Sequence, residues 1–262
     1  MKKQHAYNVC DMMECLLEDD CIIPACVEWV YLGSYFCDLY FCRTPRSVWK
    51  KCFDKVKELG KRIVLVIPTP SQKQLAPLKL LVNKLISEFS EEIDEMVLND
   101  YAMLAFAEQH FPNIKRWEGR MLSKETRDPR YSPNEQSAKQ FERAIHNDLF
   151  GFSVMGVEAD PVAPINVVET GECMLALHTP YAYVSMGRIC EFGSIGMQLV
   201  DKFRLDHTCG RQCIQNWLLY ENHGCKFVKY GRAIFTPNED VVARCSQGNF
   251  RIIHSALDYR LA

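Results

Sequence analysis

Short apolar runs alternate with amphipathic helical patterns along most of the chain, and this alternation restricts the fold more than any other feature. The runs are VEWVYLG (27–33), IVLVI (63–67), EMVL (95–98), IKRWE (114–118), FSVMGVE (152–158) and CMLALH (173–178). Because they are short and show little alternation, they indicate strands buried on both faces, as in a parallel sheet. Repeated strand–helix units predict right-handed crossovers between such strands.

The segments between these runs carry helix-start signals. The predicted starts are Thr44-Pro45, a capping box of Ser71 and Gln74, Asn99 or Asp100, and Ser132-Pro133. Gly60 and Gly151 stand where the first and the last of these helices would end. The chain is therefore expected to have an α/β fold.

The length of 262 residues fits one large domain, so we expect residues 1–262 to form a single domain. A TIM-like (β/α) barrel, irregular or incomplete, is the favoured architecture, and an open doubly wound sheet is the alternative. FVKYGRAIF (227–235) and NFRIIHSAL (249–257) resemble strands in a different, antiparallel arrangement. They predict a small C-terminal addition to the barrel.

The charge balance excludes few classes of protein. Lys and Arg number 31 against 33 Asp and Glu, which gives a net charge of -2 and argues against a dedicated nucleic-acid binder. An RNA base remains an alternative to a small organic substrate, if a local basic patch holds the RNA. No apolar run reaches the roughly 18 residues of a membrane span, and the N-terminal residues become acidic too early for a signal peptide.

The chain contains 13 cysteines, a high and odd number. Disulfide scaffolds are usually short and secreted, and an odd count leaves at least one thiol unpaired. We therefore expect a reducing, cytoplasmic location. We also expect most cysteines to be small buried hydrophobic residues and some to form a metal site.

Several residues with reactive or metal-binding side chains follow the predicted strands. In both candidate architectures, functional residues lie at the carboxyl ends of parallel strands. The residues at these ends are Cys37, Asn99, Asp100, Glu158 and His178, and Cys190, Cys209 and Cys213 follow His178 in the chain. This placement predicts one site at the barrel rim.

Cys209 and Cys213 are separated by three residues and would share one face of a helix. The spacing differs from the CxxC of zinc ribbons, and Asn216 stands where a radical S-adenosylmethionine enzyme needs a third cysteine. Thiolates are the normal ligands of iron–sulfur clusters, and Arg188 and Arg211 would lower the thiol pKa. Two core cysteines with no metal are the alternative.

TPYAYVSMGRIC (179–190) followed by CGRQC (209–213) resembles the signature of the U32 peptidase family, also called the collagenase-like protease family. Residues 98–130, which contain Asn-Asp and Arg-Asp-Pro-Arg, resemble the middle region of that family, and YLGSYFC (31–37) resembles its first loop. The resemblance covers roughly residues 27–250. It is closest to the U- and V-type proteins of ubiquinone biosynthesis.

The resemblance implies a [4Fe–4S] cluster with four cysteine ligands. Three of them lie in the segment 179–213, and one follows the predicted strand that ends in YLG. Carried over residue by residue, the ligands are Cys37, Cys190, Cys209 and Cys213. Many family members have a further cysteine where this chain has Tyr183, and Cys37 is the natural replacement for it. Zinc is the chemical alternative for four thiolates.

The resemblance favours a component of an oxygen-independent hydroxylation. In that hypothesis Asn99, Arg120, Arg188 and His178 bind an anionic substrate, and Asp100, Glu158 or His178 handle protons. These assignments rest on strand-end position.

Two other functions follow from the same resemblance. One is a peptidase with His178 and Cys190 as its reactive pair, although the chain has no HExxH or GxSxG motif. The other is a non-catalytic, metal-bearing subunit that forms a hetero-dimer with a second U32 family protein.

Overall fold

The computed structural model describes residues 3–123, 151–162, 174–202, 209–245 and 250–261. Strands β1 to β12 comprise Gln4–Asn8, Trp29–Gly33, Arg62–Ile67, Ile93–Leu98, Lys115–Glu118, Gly156–Ala159, Met174–Thr179, Tyr181–Met186, Trp217–Asn222, Cys225–Tyr230, Ala233–Pro237 and Phe250–Ser255. Helices α1 to α6 comprise Asp38–Arg43, Arg46–Glu58, Leu75–Glu88, Tyr101–His110, Glu239–Ala243 and Leu257–Leu261. Short 3-10 helices cover Met13–Leu17, Phe192–Ser194 and Gln212–Ile214.

Eight parallel strands form a closed barrel in the order β1-β2-β3-β4-β5-β6-β7-β12, with β12 returning to β1. The six predicted strand runs correspond to β2 through β7, which confirms the α/β barrel. The barrel is complete rather than incomplete, because β12 pairs in parallel with both β1 and β7. The segment NFRIIHSAL is therefore the closing strand, and its predicted antiparallel arrangement was wrong.

A second sheet is antiparallel and has the strand order β8-β11-β10-β9. It confirms the antiparallel prediction for FVKYGRAIF, which forms the β10–β11 hairpin. The sheet is an insertion between β7 and β12, not a C-terminal addition. It packs on the barrel through aromatic side chains, since the ring of Phe36 lies 4.7 Å from that of Tyr183 and 5.5 Å from that of Phe235.

The predicted helix start holds at α4 but not at α2 or α3. Helix α2 begins at Arg46 with Pro45 as its N-cap residue and no side-chain cap, because the Thr44 hydroxyl donates to the backbone oxygen of Tyr40 at 2.8 Å. Asp100 caps α4 as predicted, since its carboxylate accepts hydrogen bonds from the backbone N–H groups of Ala102 (2.9 Å) and Met103 (3.3 Å). The predicted capping box at Ser71 and Gln74 does not form: these residues make a turn, and α3 begins at Leu75.

Several predicted features lie outside the described residues. They are the helix opened by Ser132-Pro133, the Arg-Asp-Pro-Arg stretch at 127–130 and Cys173. Gly151, the predicted end of that helix, is described and has a φ of 62°.

A buried ion pair crosses the interior of the barrel. Arg251 on β12 donates hydrogen bonds to both carboxylate oxygens of Glu95 on β4, at 2.6 and 3.1 Å, and to the hydroxyl of Tyr31 on β2 at 3.0 Å. The indole N–H of Trp117 on β5 donates to the same carboxylate at 2.7 Å. The guanidinium also lies over the ring of Trp29, 4.1 Å from its centroid. One side chain of the closing strand thus contacts residues from β2, β4 and β5.

Among the described helices, none is long and apolar enough to cross a membrane.

We predict that Arg251→Met destabilises the protein by about 3–5 kcal/mol, because it leaves the carboxylate of Glu95 buried without its cationic partner. Urea denaturation followed by circular dichroism measures the loss. Lys50→Met is the control: it breaks the exposed Lys50–Asp54 pair and should cost less than about 0.5 kcal/mol. Equal costs for the two substitutions would contradict the role given to Arg251.

Candidate functional site

The four cysteines predicted as ligands lie at the mouth formed by the carboxyl ends of the barrel strands. Cys37 follows β2 and is the N-cap residue of α1. Cys190 follows β8, and Cys209 and Cys213 precede β9, so these three approach the mouth from the inserted sheet. All four side chains are buried.

Backbone N–H groups point at three of the four sulfur atoms. The donors are Tyr40 to Cys37 Sγ (3.3 Å), Gly193 to Cys190 Sγ (3.4 Å) and Arg211 to Cys209 Sγ (3.4 Å). Hydrogen bonds of this type stabilise negative charge on sulfur, and they are among the features by which proteins tune iron–sulfur clusters.

The loop that carries Cys209 and Cys213 is fixed to the barrel by two arginines. Arg43 on α1 donates to the backbone oxygen of Cys209 at 3.1 Å. Arg211 forms an ion pair with Glu14 and lies over the ring of Tyr40, 4.8 Å from its centroid. These contacts hold the two cysteines of the loop at the mouth.

Burial shifts the pKa values of Cys37, Cys190 and Cys213. It raises the pKa of Cys37 to about 12 and also raises the pKa values of Cys190 and Cys213. After burial, the charge of Cys37 is the next cause that raises the pKa of Cys213, and Cys190 and Cys209 add to it. The four sulfurs are therefore close enough to interact electrostatically.

The cation that opposes this effect is Arg232, in the turn between β10 and β11. Its positive charge lowers the pKa values of Cys37 and Cys190. At Cys37 this charge is the largest effect that opposes burial. The sequence had assigned this role to Arg188 and Arg211, but Arg211 is paired with Glu14 and Arg188 donates to the backbone oxygen of Thr69 at 3.4 Å. The effect predicted for Arg188 and Arg211 stays a prediction, and Arg232 is the cation that sequence reasoning missed.

Within the described residues, no set of three or more His, Cys, Asp or Glu side chains is grouped to hold a metal ion. One zinc ion with Zn–S bonds of about 2.3 Å would draw all its thiolates to within about 4 Å of one another. In a [4Fe–4S] cluster each cysteine binds a different iron, so the sulfurs stand farther apart. Both centres take thiolate ligands, and the four buried thiols, three of them with N–H donors, are the donor set that either centre would use.

A second polar group lies deeper in the mouth and contains His178, Glu158 and Tyr35. Nε2 of His178 on β7 is 3.2 Å from Oε2 of Glu158 on β6. The hydroxyl of Tyr35 donates to Oε1 of Glu158 at 3.1 Å, and the Tyr35 ring meets the His178 ring edge-on at 5.2 Å. All three side chains are buried.

Burial raises the pKa of Glu158 from 4.5 to about 8, although Arg120 and the Tyr35 hydroxyl oppose the shift. The carboxyl is therefore largely protonated at neutral pH. A buried acid whose pKa lies this close to neutrality can both give and take a proton under physiological conditions.

Arg120 lies beside this group, and its charge is paired internally. It forms a buried ion pair with Asp160, and its guanidinium is surrounded by the rings of Tyr35, Phe36, Tyr183 and Phe235 at 5.2–6.0 Å. Asp160 also accepts the N–H of Tyr183 at 2.8 Å, which ties the inserted sheet to the mouth. The geometry favours a structural role for Arg120 over the predicted binding of an anionic substrate.

Asn99 and Asp100 support the rim rather than the interior of the mouth. The side-chain amide of Asn99 donates to the backbone oxygen of Ile67 at 3.0 Å and accepts the N–H of Met121 at 3.2 Å. Asp100 is occupied as the cap of α4. Of the strand-end residues predicted for substrate and proton chemistry, the structure thus joins His178 and Glu158 directly, with Arg120 nearby.

Sequence reasoning missed Tyr35, Asp160 and Arg232. Asp160 stands two residues after Glu158 at the end of β6, so the strand-end rule applied to the others would have found it. Tyr35 lies in the YLGSYFC loop, in which only Cys37 was predicted to be functional. Arg232 lies in a hairpin turn of the inserted sheet, and no sequence signal connects that turn with the cysteines.

The chain matches no family model, no curated protein and no solved structure. Its function must therefore be argued from the geometry of this mouth.

We predict that Glu158→Gln flattens the pH dependence of stability. The folded-state pKa of about 8 lies above the ordinary 4.5, so the folded protein holds this proton more tightly and loses stability as pH rises between these values. The contribution is at most about 1.4 kcal/mol per pH unit. Urea midpoints measured across this range test it.

Glu221→Gln, at an exposed position on β9, is the matched control and should keep the wild-type slope. A wild-type slope in Glu158→Gln as well would show that the Glu158 carboxyl titrates in its ordinary range.

Proposed function

We propose that this chain is an iron–sulfur protein of the U32 type, in which a TIM-like barrel binds a [4Fe–4S] cluster through Cys37, Cys190, Cys209 and Cys213. Its function is that of a component of an oxygen-independent hydroxylation. The observation that carries the proposal is the convergence of four buried thiols at the barrel mouth, three of them facing backbone N–H donors.

When bound, the cluster supplies electron transfer in a mouth shielded from water. The chain prepares for it electrostatically. Burial keeps the free thiols protonated, so binding iron releases their protons and couples affinity to pH. Arg232 lies close enough to Cys37 and Cys190 to offset part of the negative charge of their thiolates.

Glu158, His178 and Tyr35 are the proton-handling group in this proposal. The mouth holds a small cavity of about 30 Å³, the space of one water molecule, and its lining includes Tyr35, Arg120, Cys37 and Cys213. The Tyr35 hydroxyl therefore connects the Glu158 carboxyl with a space that borders the cysteines. This space suits a proton path, and an organic substrate would bind outside it and exchange protons with a buried acid of near-neutral pKa.

The thiol chemistry also supports the proposed cytoplasmic location. The twelve cysteines within the described ranges form no disulfide with one another. Thiols, rather than disulfides, are typical of reducing compartments.

We predict that the anaerobically purified protein is brown and contains iron and acid-labile sulfide. Cys37→Ala, Cys190→Ala, Cys209→Ala and Cys213→Ala should each lose most of the visible absorption, because each removes one of four ligands. Cys52→Ala is the matched control: Cys52 is also buried, but it belongs to α2 and its thiol donates to the backbone oxygen of Met13 at 3.4 Å.

Full zinc occupancy without iron under anaerobic conditions would overturn the proposal in favour of a zinc protein. A wild-type spectrum in Cys37→Ala would remove Cys37 from the ligand set.

The peptidase alternative has less support. His178, the residue expected to activate Cys190, is bonded to Glu158, and the sulfur of Cys190 accepts the N–H of Gly193. A nucleophilic cysteine needs a lowered pKa, whereas burial raises that of Cys190.

One surface favours the second candidate function, a metal-bearing subunit of a hetero-dimer. Strand β9 lies at the edge of the inserted sheet, and all six of its residues are exposed. Four of them, Trp217 to Tyr220, are large and apolar, which is unusual for an edge strand that stays in solvent. A strand of a second U32 family protein would complete this edge by strand addition.

We predict that Leu219→Lys abolishes a complex between this chain and a second U32 family protein co-expressed with it, as measured by size-exclusion chromatography with light scattering. A charge on the edge opposes strand addition. Leu80→Lys on α3 is the control, because Leu80 and Leu219 are both 57% exposed. No complex, or one that tolerates Leu219→Lys, would contradict this subunit role.

A further inference from the structure

A cleft with a volume of about 410 Å³ opens beside the cysteine site. Its walls are α1, the turn after β3, the loop after β8 and the turn between β10 and β11. The lining residues with charged side chains are Asp38, Arg43, Lys73, Arg188 and Arg232. A concave space of this size is typical of a small-molecule site.

The cleft is strongly cationic, although the whole chain carries a net charge of -2. Four of its charged residues are basic and one is acidic. The acidic residue, Asp38, is already bonded to Arg232 at 2.7 Å and to the backbone N–H of Ser71 at 2.8 Å. Such an excess of one sign in a concave surface attracts and retains ligands of the opposite sign.

Arg232 connects the cleft with the cysteine site. It lines this cleft and also the mouth cavity that contains Cys37 and Cys213. Its side chain is only 5% exposed, and although Nη1 is bonded to Asp38, its buried Nε has no hydrogen-bond partner. A buried guanidinium N–H without an acceptor is costly, so it indicates that an acceptor belongs in one of the two spaces that Arg232 lines.

Arg43 and Arg188 are the outer cations of the cleft. Both side chains are exposed, and each makes a hydrogen bond to a backbone oxygen, Arg43 to Cys209 and Arg188 to Thr69. These contacts hold the two guanidinium groups near the cleft while leaving donors for a ligand, since a guanidinium has five N–H donors.

We propose that this cleft binds the oxyanion group, carboxylate or phosphate, of a small organic substrate and positions it beside the cluster. That the ligand is a substrate rests on the proposed function. That the cleft binds an anion rests on its basic side chains and on Arg232. Arg43 and Arg188 attract the anion, and guanidinium groups bind carboxylates and phosphates by paired, charge-assisted hydrogen bonds.

The test is calorimetric titration of the anaerobically purified protein with malonate, with inorganic phosphate and with the neutral analogue malonamide. Malonate or phosphate should bind and malonamide should not. Arg188→Gln and Arg43→Gln should each weaken binding by at least about tenfold, the loss expected for a hydrogen bond to a charged group. Arg244→Gln is the matched control, since Arg244 is also exposed and bonded to a single backbone oxygen, that of Asp240.

Preference for malonate over phosphate, or the reverse, identifies which oxyanion the cleft accepts. Absence of binding by both anions overturns the proposal, as does binding that Arg188→Gln and Arg43→Gln leave unchanged. A single-stranded RNA hexamer that binds while neither small anion does also overturns it, in favour of an RNA surface.

Iron and sulfide assays on the same samples separate the two proposals. Arginine-dependent anion binding in a protein that holds no iron would support the cleft and refute the iron–sulfur function. A protein with a full cluster whose cleft binds no anion would refute the cleft alone.

Discussion

The ion pair between Arg251 and Glu95 is the interaction on which the barrel most depends. The strand that carries Arg251 is the last barrel strand in the chain, and a whole antiparallel sheet separates it from β7. Its guanidinium must find Glu95 and the Tyr31 hydroxyl before the interior polar groups are satisfied. A buried pair of this kind adds little net stability over an apolar core, but any arrangement that separates its members is heavily penalised. It therefore selects the closed barrel.

The barrel mouth also buries ionisable side chains, but only some of them are held as charged partners. Arg120 is paired with Asp160 and opposes only part of the effect of burial on Glu158, so burial pushes that carboxyl toward its neutral form. The two carboxyls stand two residues apart, Glu158 on β6 and Asp160 just after it, yet Asp160 is paired as an ion and Glu158 lies near its titration point. Such a separation of environments divides structural from proton-transferring roles. It also places the exchangeable proton next to Tyr35 and the cysteine site.

The sequence predicted most of the barrel because its strands are specified locally, by short apolar runs such as IVLVI and by caps such as Asp100. It also placed four cysteines at one mouth from strand-end position and family resemblance. It failed where long-range contacts decide. No local pattern distinguishes a closing parallel strand from an antiparallel addition, since both are short and apolar. The hydrogen bond from Arg251 to Glu95 distinguishes them, but it joins residues far apart in the sequence. In the same way, no local sequence pattern predicts that the turn carrying Arg232 lies near the cysteines.

The inserted sheet gives the mouth its chemistry. Barrel strands alone place Cys37, Glu158 and His178 at the rim, whereas Cys190, Cys209, Cys213 and Arg232 all come from the insertion. Because one guanidinium, Arg232, lines both the cysteine cavity and the cationic cleft, a charge change in one space is felt in the other. An anion in the cleft would compete with the thiolates for that cation. In the proposed iron–sulfur protein, anion binding and the electron affinity of the cluster would be coupled through this single side chain.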